Sequence, residues 1–168
     1  MFGGSLLIAL SAQIRLPVPF SPVPVTGQTL GVIAVGILLG SKRGAGAVLA
    51  YLSEGIMGAP VFAGGACGAA YLLGPTGGYL IGFLPAAYLA GYLAERRGIA
   101  NPILILSLFV IADAVIFTAG VGRLAMLMGI GKAISLGLYP FVWGELVKAA
   151  ILVSVTLGVK AAMNRLVP

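Results

Sequence analysis

The sequence contains no histidine and a single cysteine, Cys67. The first absence excludes a His/Cys metal site and every acid–base scheme that relies on imidazole. The second excludes an intramolecular disulfide, and Cys67 reads as a small packing residue. Charge is scarce too. Only 8% of residues are Asp, Glu, Lys or Arg, against about 25% in an ordinary soluble domain. So few polar groups cannot cover a globular surface, and lipid must be the solvent. No P-loop, no HExxH and no nucleophile–base arrangement occurs, so neither ATP hydrolysis nor other enzymatic chemistry is expected of this chain. No basic stretch precedes the apolar run from Gly3 to Ala12, so no cleaved signal is expected.

What is present fits a membrane bundle. Hydrophobic residues make up 60% of the 168, and 26 are glycine, which suits close helix packing in lipid. The length allows about six helices of ~20 residues. The expected fold class is an all-α integral membrane protein with six transmembrane helices. A short first helix is read from Met1 to Leu16. Pro17, Pro19, Pro22 and Pro24 then break helix, leaving 16–26 as an apolar loop, either a lid folded onto protein or an interfacial loop. Further helices are read over 27–40, 44–58, 77–93, 102–122 and 140–163. Ser41-Lys42-Arg43 reads as a basic turn, 61–76 as a second Gly-rich loop, and 123–138 as mixed, with a short interfacial helix.

The net charge of +6 comes from basic residues scattered in loops, which reads as topology signalling and excludes a nucleic-acid partner. Lys42, Arg43, Arg96, Arg97, Lys160 and Arg165 fall on one side of the expected bundle, and Arg15, Arg123 and Lys132 on the other. By the positive-inside rule both termini are expected in the cytoplasm, with the two Gly/Pro-rich loops outside.

Against this background two ions stand out. Glu145 and Lys148, three apart in an apolar run, share one helix face. A charge within a span costs at least ~2.5–3.5 kcal/mol, so such residues face a cavity or a partner. They read either as a structural salt bridge or as donor and acceptor for a polar solute. Thr26 reads as an N-cap of the second helix, and Gln28 as a ligand or capping residue beside it. Gly77 and Gly78 open the fourth helix, where free amides favour an anion and the missing side chains admit close approach. Tyr79 adds an aromatic wall and a hydroxyl. Glu54 reads as structural, Asp113 as bonding across the bundle, and Arg123 as snorkelling. Ser5, Ala9 and Ala12 make a small-residue stripe that serves internal packing or docks a partner.

Four segments, taken in order, resemble one family. They are Pro24-Val-Thr-Gly-Gln28-Thr-Leu, Pro60-Val-Phe-Ala-Gly-Gly65, Gly74-Pro-Thr-Gly-Gly-Tyr79-Leu-Ile-Gly and Leu138-Tyr-Pro-Phe-Val-Trp-Gly-Glu145-Leu-Val-Lys148. Together they resemble BioY, the biotin-binding S component of energy-coupling factor (ECF) vitamin transporters. The resemblance implies the ECF S-component fold, with residues 1–168 as one transmembrane substrate-binding domain in the cell membrane. It implies an outward-facing biotin site that includes Thr26, Gln28, Gly65, Gly77, Tyr79, Glu145 and Lys148. The family's acid-x-x-Lys pair falls on Glu145 and Lys148, with Glu in place of the usual Asp. The implied partners are biotin, a transmembrane coupling protein and two ATPase subunits, which alone would use ATP; no cofactor is implied for this chain. The small-residue stripe resembles the surface S components offer the coupling protein. Binding of another small vitamin, or a purely structural helix bundle, remains the alternative. Monomer or homo-oligomer is left open.

Overall fold

The computed structural model describes residues 1–98 and 101–166, with side chains up to 158. In chain order the elements are α1 (Phe2–Gln13), β1 (Arg15–Leu16), β2 (Val25–Thr26), α2 (Gln28–Leu39), α3 (Ser41–Ile56), α4 (Ala69–Leu73), α5 (Gly77–Arg97), α6 (Pro102–Met128), α7 (Ile130–Gly137) and α8 (Val142–Leu166). Single 3-10 turns cover Ala63–Gly65 and Tyr139–Phe141. The expected all-α architecture gains one exception. β1 and β2 pair antiparallel, Arg15 opposite Thr26 and Leu16 opposite Val25, and so clip the base of the proline loop.

The long helices α1, α2, α3, α5, α6 and α8 follow the expected order, which is compatible with six spans. Three segments, Gly77–Arg97, Pro102–Met128 and Ile130–Gly158, are long and apolar enough to cross a membrane, while α1 and α2 are apolar but only 12 residues each. Helix boundaries moved where local chemistry allowed. The expected basic turn is absent: Gly40 alone makes it, at φ +82°, a conformation glycine adopts without penalty. Ser41, Lys42 and Arg43 form the first turn of α3, held by Ser41 N and Oγ donating to the Glu95 carboxylate at 2.9 and 2.8 Å. At the other boundary α6 runs six residues past Gly122 to Met128. A helical glycine costs only ~1 kcal/mol, so it does not stop a packed helix. The stop comes at Gly129, at φ +83°, whose amide bonds the Ala125 carbonyl. The start of α6 is capped by Asn101, which accepts from Ile103 N at 2.9 Å beside Pro102.

The core runs along α2, α3, α5 and α6. A Cβ at Gly36 would strike the Ala87 carbonyl of α5, and one at Gly82 would meet Ile116 of α6. Backbones therefore pack in direct contact, as in many membrane bundles. Ser5 and Ala12 of the stripe are buried inside the bundle and Ala9 is half-buried, so the stripe is used for internal packing. Glu54 accepts from Ser5 at 3.1 Å, the structural role expected. Cys67 is exposed, which corrects the packing reading; it lies in an irregular stretch between Gly65 and Gly68, both at positive φ.

The two ends of the bundle differ in kind. Met1 lies against Gly46, and Ser41 against Glu95, so the N-terminus, Lys42, Arg43, Arg96 and Arg97 gather at one end. The opposite end carries the β-ribbon, the 57–76 segment, α7 and the start of α8. Lys160 and Arg165 lie outside the described side chains.

Candidate functional site

Helix α8 starts from the turn Tyr139–Phe141, and its first two turns carry Glu145 and Lys148. Both are buried, at 7% and 9% exposure. Lys148 Nζ donates to Glu145 Oε1 at 2.6 Å. A third residue closes the arrangement. Thr29, in the first turn of α2, donates from Oγ1 to Glu145 Oε2 at 2.9 Å and accepts from Lys148 Nζ at 2.9 Å. The ion pair is thus bonded along one helix and bridged by a hydroxyl from another.

Next to Thr29, Gln28 is anchored rather than loose. Its Nε2 donates to Tyr51 Oη at 2.6 Å, and its Oε1 accepts from Thr26 Oγ1 at 3.0 Å. The N-cap position belongs to Gly27, which corrects the reading of Thr26. A Cβ on Gly27 would meet the Ser11 carbonyl of α1 at 2.8 Å, so the helix start is pressed against α1 and the cap residue has no side chain. Thr26 still accepts from Gln28 N, at 3.3 Å.

These groups line a narrow cavity of about 40 Å³. Its polar end is formed by Gln28, Thr29, Glu145 and Lys148, and its walls by Tyr79, Leu80, Phe83, Phe117 and Phe141. The roof comes from Val23 and Pro24 of the proline loop and from Ala63 and Tyr71 of the second loop. Ser21 pins that roof: its Oγ donates to the Leu136 carbonyl of α7 at 2.7 Å and accepts from Val23 N at 3.1 Å. Phe62, fully buried, packs between Tyr51 and Tyr71 at centroid distances of 5.5 and 5.3 Å and fixes the second loop. A solute held here meets an ionic, hydrogen-bonding end and an aromatic body.

Not every expected site residue reaches this cavity. Thr26, Gln28, Tyr79, Glu145 and Lys148 line it; Gly65 and Gly77 do not. Gly65 is exposed, at φ +76°, and its role is to turn the chain. Gly77 lets α5 start against α4, since a Cβ there would collide with the Leu72 carbonyl; Gly78 likewise faces Ala119 and Arg123 of α6. The helix-start amides are also used: Gly77 N bonds Gly74 O at 3.2 Å, and Tyr79 N bonds Thr76 O at 3.1 Å. Tyr79 offers its ring to the cavity, while its hydroxyl donates to the Gly137 carbonyl at 2.7 Å and ties α5 to α7. Arg123 donates to the Leu73 carbonyl of the second loop. Asp113 makes no bond across the bundle through its buried Oδ1.

Sequence reasoning missed Thr29 and the Phe83, Phe117 and Phe141 walls. Thr29 had one signal, a second polar residue directly after Gln28 at the head of an apolar helix. The phenylalanines had none, because core and cavity aromatics look alike in sequence.

A family model described as the BioY family matches residues 1–165. A biotin transporter BioY of Thermotoga maritima is 40% identical over 155 residues, covering 92% of this chain and 89% of that protein. One of Rhizobium etli is 36% identical over 156 residues, covering 88% and 83%. Among solved structures, the crystal structure of the S-component for biotin from an ECF-type ABC transporter superimposes with a TM-score of 0.85 at 28% identity. That match covers 95% of this chain and 88% of that one.

Proposed function

The chain belongs to the BioY family, and we propose that it is a membrane subunit for biotin uptake. It takes biotin at the end of the bundle that carries the β-ribbon and releases it inward in concert with an ATP-driven ECF module. The observation that carries this reading is the Glu145–Lys148–Thr29 cluster on the wall of a roofed, aromatic cavity. Biotin's chemistry is complementary to that wall. Its ureido ring and carboxylate need donors and acceptors, and its thioether ring needs apolar faces.

In this reading Lys148 and Glu145 contact one polar end of biotin, assisted by Thr29 and Gln28, and Tyr79, Phe117 and Phe141 enclose the apolar body. Thr26 acts by holding Gln28. Gly65 and Gly77 act through the backbone shape of the roof and of the α5 start. The chain works by binding rather than catalysis and holds no cofactor of its own; a coupling membrane protein and two ATPase subunits supply the energy. Both termini lie in the cytoplasm, a topology supported by Lys42, Arg43, Arg96 and Arg97 gathering at the N-terminal end of the bundle.

The test is genetic. Expression with an ECF module is expected to rescue a biotin auxotroph at trace biotin, and Lys148→Ala to abolish the rescue. Rescue by Lys148→Ala at the wild-type biotin level would sink the assignment.

A further inference from the structure

Tyr51 of α3 is fully buried and touches the site without lining the cavity. Its Oη lies 2.6 Å from Gln28 Nε2, and Thr26 Oγ1 lies 3.0 Å from Gln28 Oε1. Two hydroxyls thus hold the two ends of one amide. A primary amide has two N–H donors and two carbonyl lone pairs. One of each is spent on the hydroxyls, so one N–H and one lone pair remain. Gln28 lines the polar end of the cavity beside Thr29, Glu145 and Lys148, so the spare donor and acceptor can serve a solute there. Glutamine is among the side chains with most rotamer freedom to lose. An amide already held costs less to order when the solute arrives.

The ring of Tyr51 has a second neighbour. Phe62, also fully buried, meets it edge-on at 5.5 Å and stacks on Tyr71 at 5.3 Å, and Tyr71 roofs the cavity. Gly55, one turn further along α3 on the same face, leaves the space in which Phe62 sits, since a Cβ there would strike its ring. The Gly55 carbonyl accepts from Gly68 N at 2.7 Å, and Gln13 of α1 donates to the Phe62 carbonyl at 3.3 Å. The second loop is therefore docked on the face of α3 that carries Tyr51. Unbroken contacts run from Tyr71 in the roof through Phe62 and Tyr51 to the Gln28 amide.

We propose that Tyr51 is a positioning residue for the bound solute. Its hydroxyl aims the Gln28 amide into the cavity, and its ring, seated on Phe62, makes that aim depend on the docked second loop. When the loop lifts, Tyr51 loses its seat, the amide loses its hold, and the polar end of the solute is released. The chemistry served is a group that gives and takes hydrogen bonds at one end, as a ureido ring does.

This rests on the biotin reading, so the experiment has one arm that does not use biotin. Gln13 and Gln28 are the chain's two glutamines. Protein labelled with nitrogen-15 in the glutamine side chains, in lipid nanodiscs, therefore gives two amide signals by NMR, and Gln28→Leu identifies one of them. Without ligand, Tyr51→Phe keeps the ring and removes the hydroxyl; it is expected to shift the Gln28 signal and leave that of Gln13 in place. Phe62→Leu touches neither hydrogen-bonding group and is expected to shift the Gln28 signal too. In the second arm Tyr51→Phe is expected to weaken the biotin Kd roughly threefold to tenfold, the range of about one hydrogen bond. Made in Gln28→Leu protein, the same change is expected to cost less than about twofold, whereas a residue that only braced the fold would act alike in both backgrounds. A cooperative melting transition checks that each variant is folded. A Gln28 signal unmoved in either variant, an unchanged Kd, or an equal loss in both backgrounds overturns the proposal. No biotin retained by wild type overturns the biotin reading, and the amide signals still decide whether Tyr51 and the loop hold Gln28.

Discussion

An ammonium has three N–H donors, and Lys148 has committed two of them, to Glu145 and Thr29. The third is what it brings to a solute. Thr29 is therefore more than a spectator, since its hydroxyl both supports the carboxylate and receives the ammonium. Thr29→Val keeps the volume and removes both bonds. It is expected to weaken biotin binding by roughly threefold to tenfold, the range of about one hydrogen bond, read as Kd by isothermal titration. An unchanged Kd would remove Thr29 from the site. Tyr79 separates its two roles differently. Tyr79→Phe keeps the ring on the cavity wall and strips the bond to Gly137. It is expected to destabilise the protein by ~1 kcal/mol, seen as a lower melting temperature, with biotin affinity within about threefold of wild type. At this scale the ions were legible in the sequence because charge in lipid is expensive. Thr29 was not, because a hydroxyl in an apolar helix often only bonds the carbonyl one turn back, as Thr156 does to Leu152 at 2.7 Å.

Elements place these side chains, and the roof decides access to them. The proline loop is clipped at its base by the two-residue strands and pinned across the mouth by Ser21 to α7. Ser21→Ala removes the pin and leaves the cavity lining intact. Local opening then needs less free energy, so stopped-flow fluorescence should show faster biotin entry and faster release, with Kd moving less than either rate. Rates identical to wild type would mean that the loop does not gate. The long helices could be read from apolar runs bounded by proline and glycine. The ribbon could not, because two-residue strands carry no period-2 pattern. The full length of α6 was hidden by Gly122. Glycine signals a stop in a soluble helix, but in lipid a broken helix leaves backbone groups unbonded, so α6 continues to Met128.

Across the whole molecule, chemistry is segregated by end. The N-terminus and the Lys42/Arg43 and Arg96/Arg97 pairs occupy one end, and the roof, α7 and the ion pair lie toward the other. Uptake requires the roofed end to face outward. Cys67 is the chain's only thiol, and it is exposed in the second loop beside that roof. A membrane-impermeant maleimide is therefore expected to label it in intact cells. Labelling only after permeabilisation would reverse the topology. The helical membrane class and the order of the long helices were legible from composition and proline/glycine spacing, since the chain has few polar groups with which to cover any other shape. The closeness of the backbone packing at Gly36 and Gly82 was not, because a glycine in sequence looks the same whether it turns, packs or meets a ligand.

Biotin capture by the buried ion pair is tested most directly by titrating purified protein in lipid nanodiscs with biotin, beside Lys148→Ala. The expected result is saturable binding of one biotin per chain, with Kd at least tenfold weaker in the variant, equivalent to ~1.4 kcal/mol. No retained biotin, or the same Kd with and without the Lys148 ammonium, would contradict it.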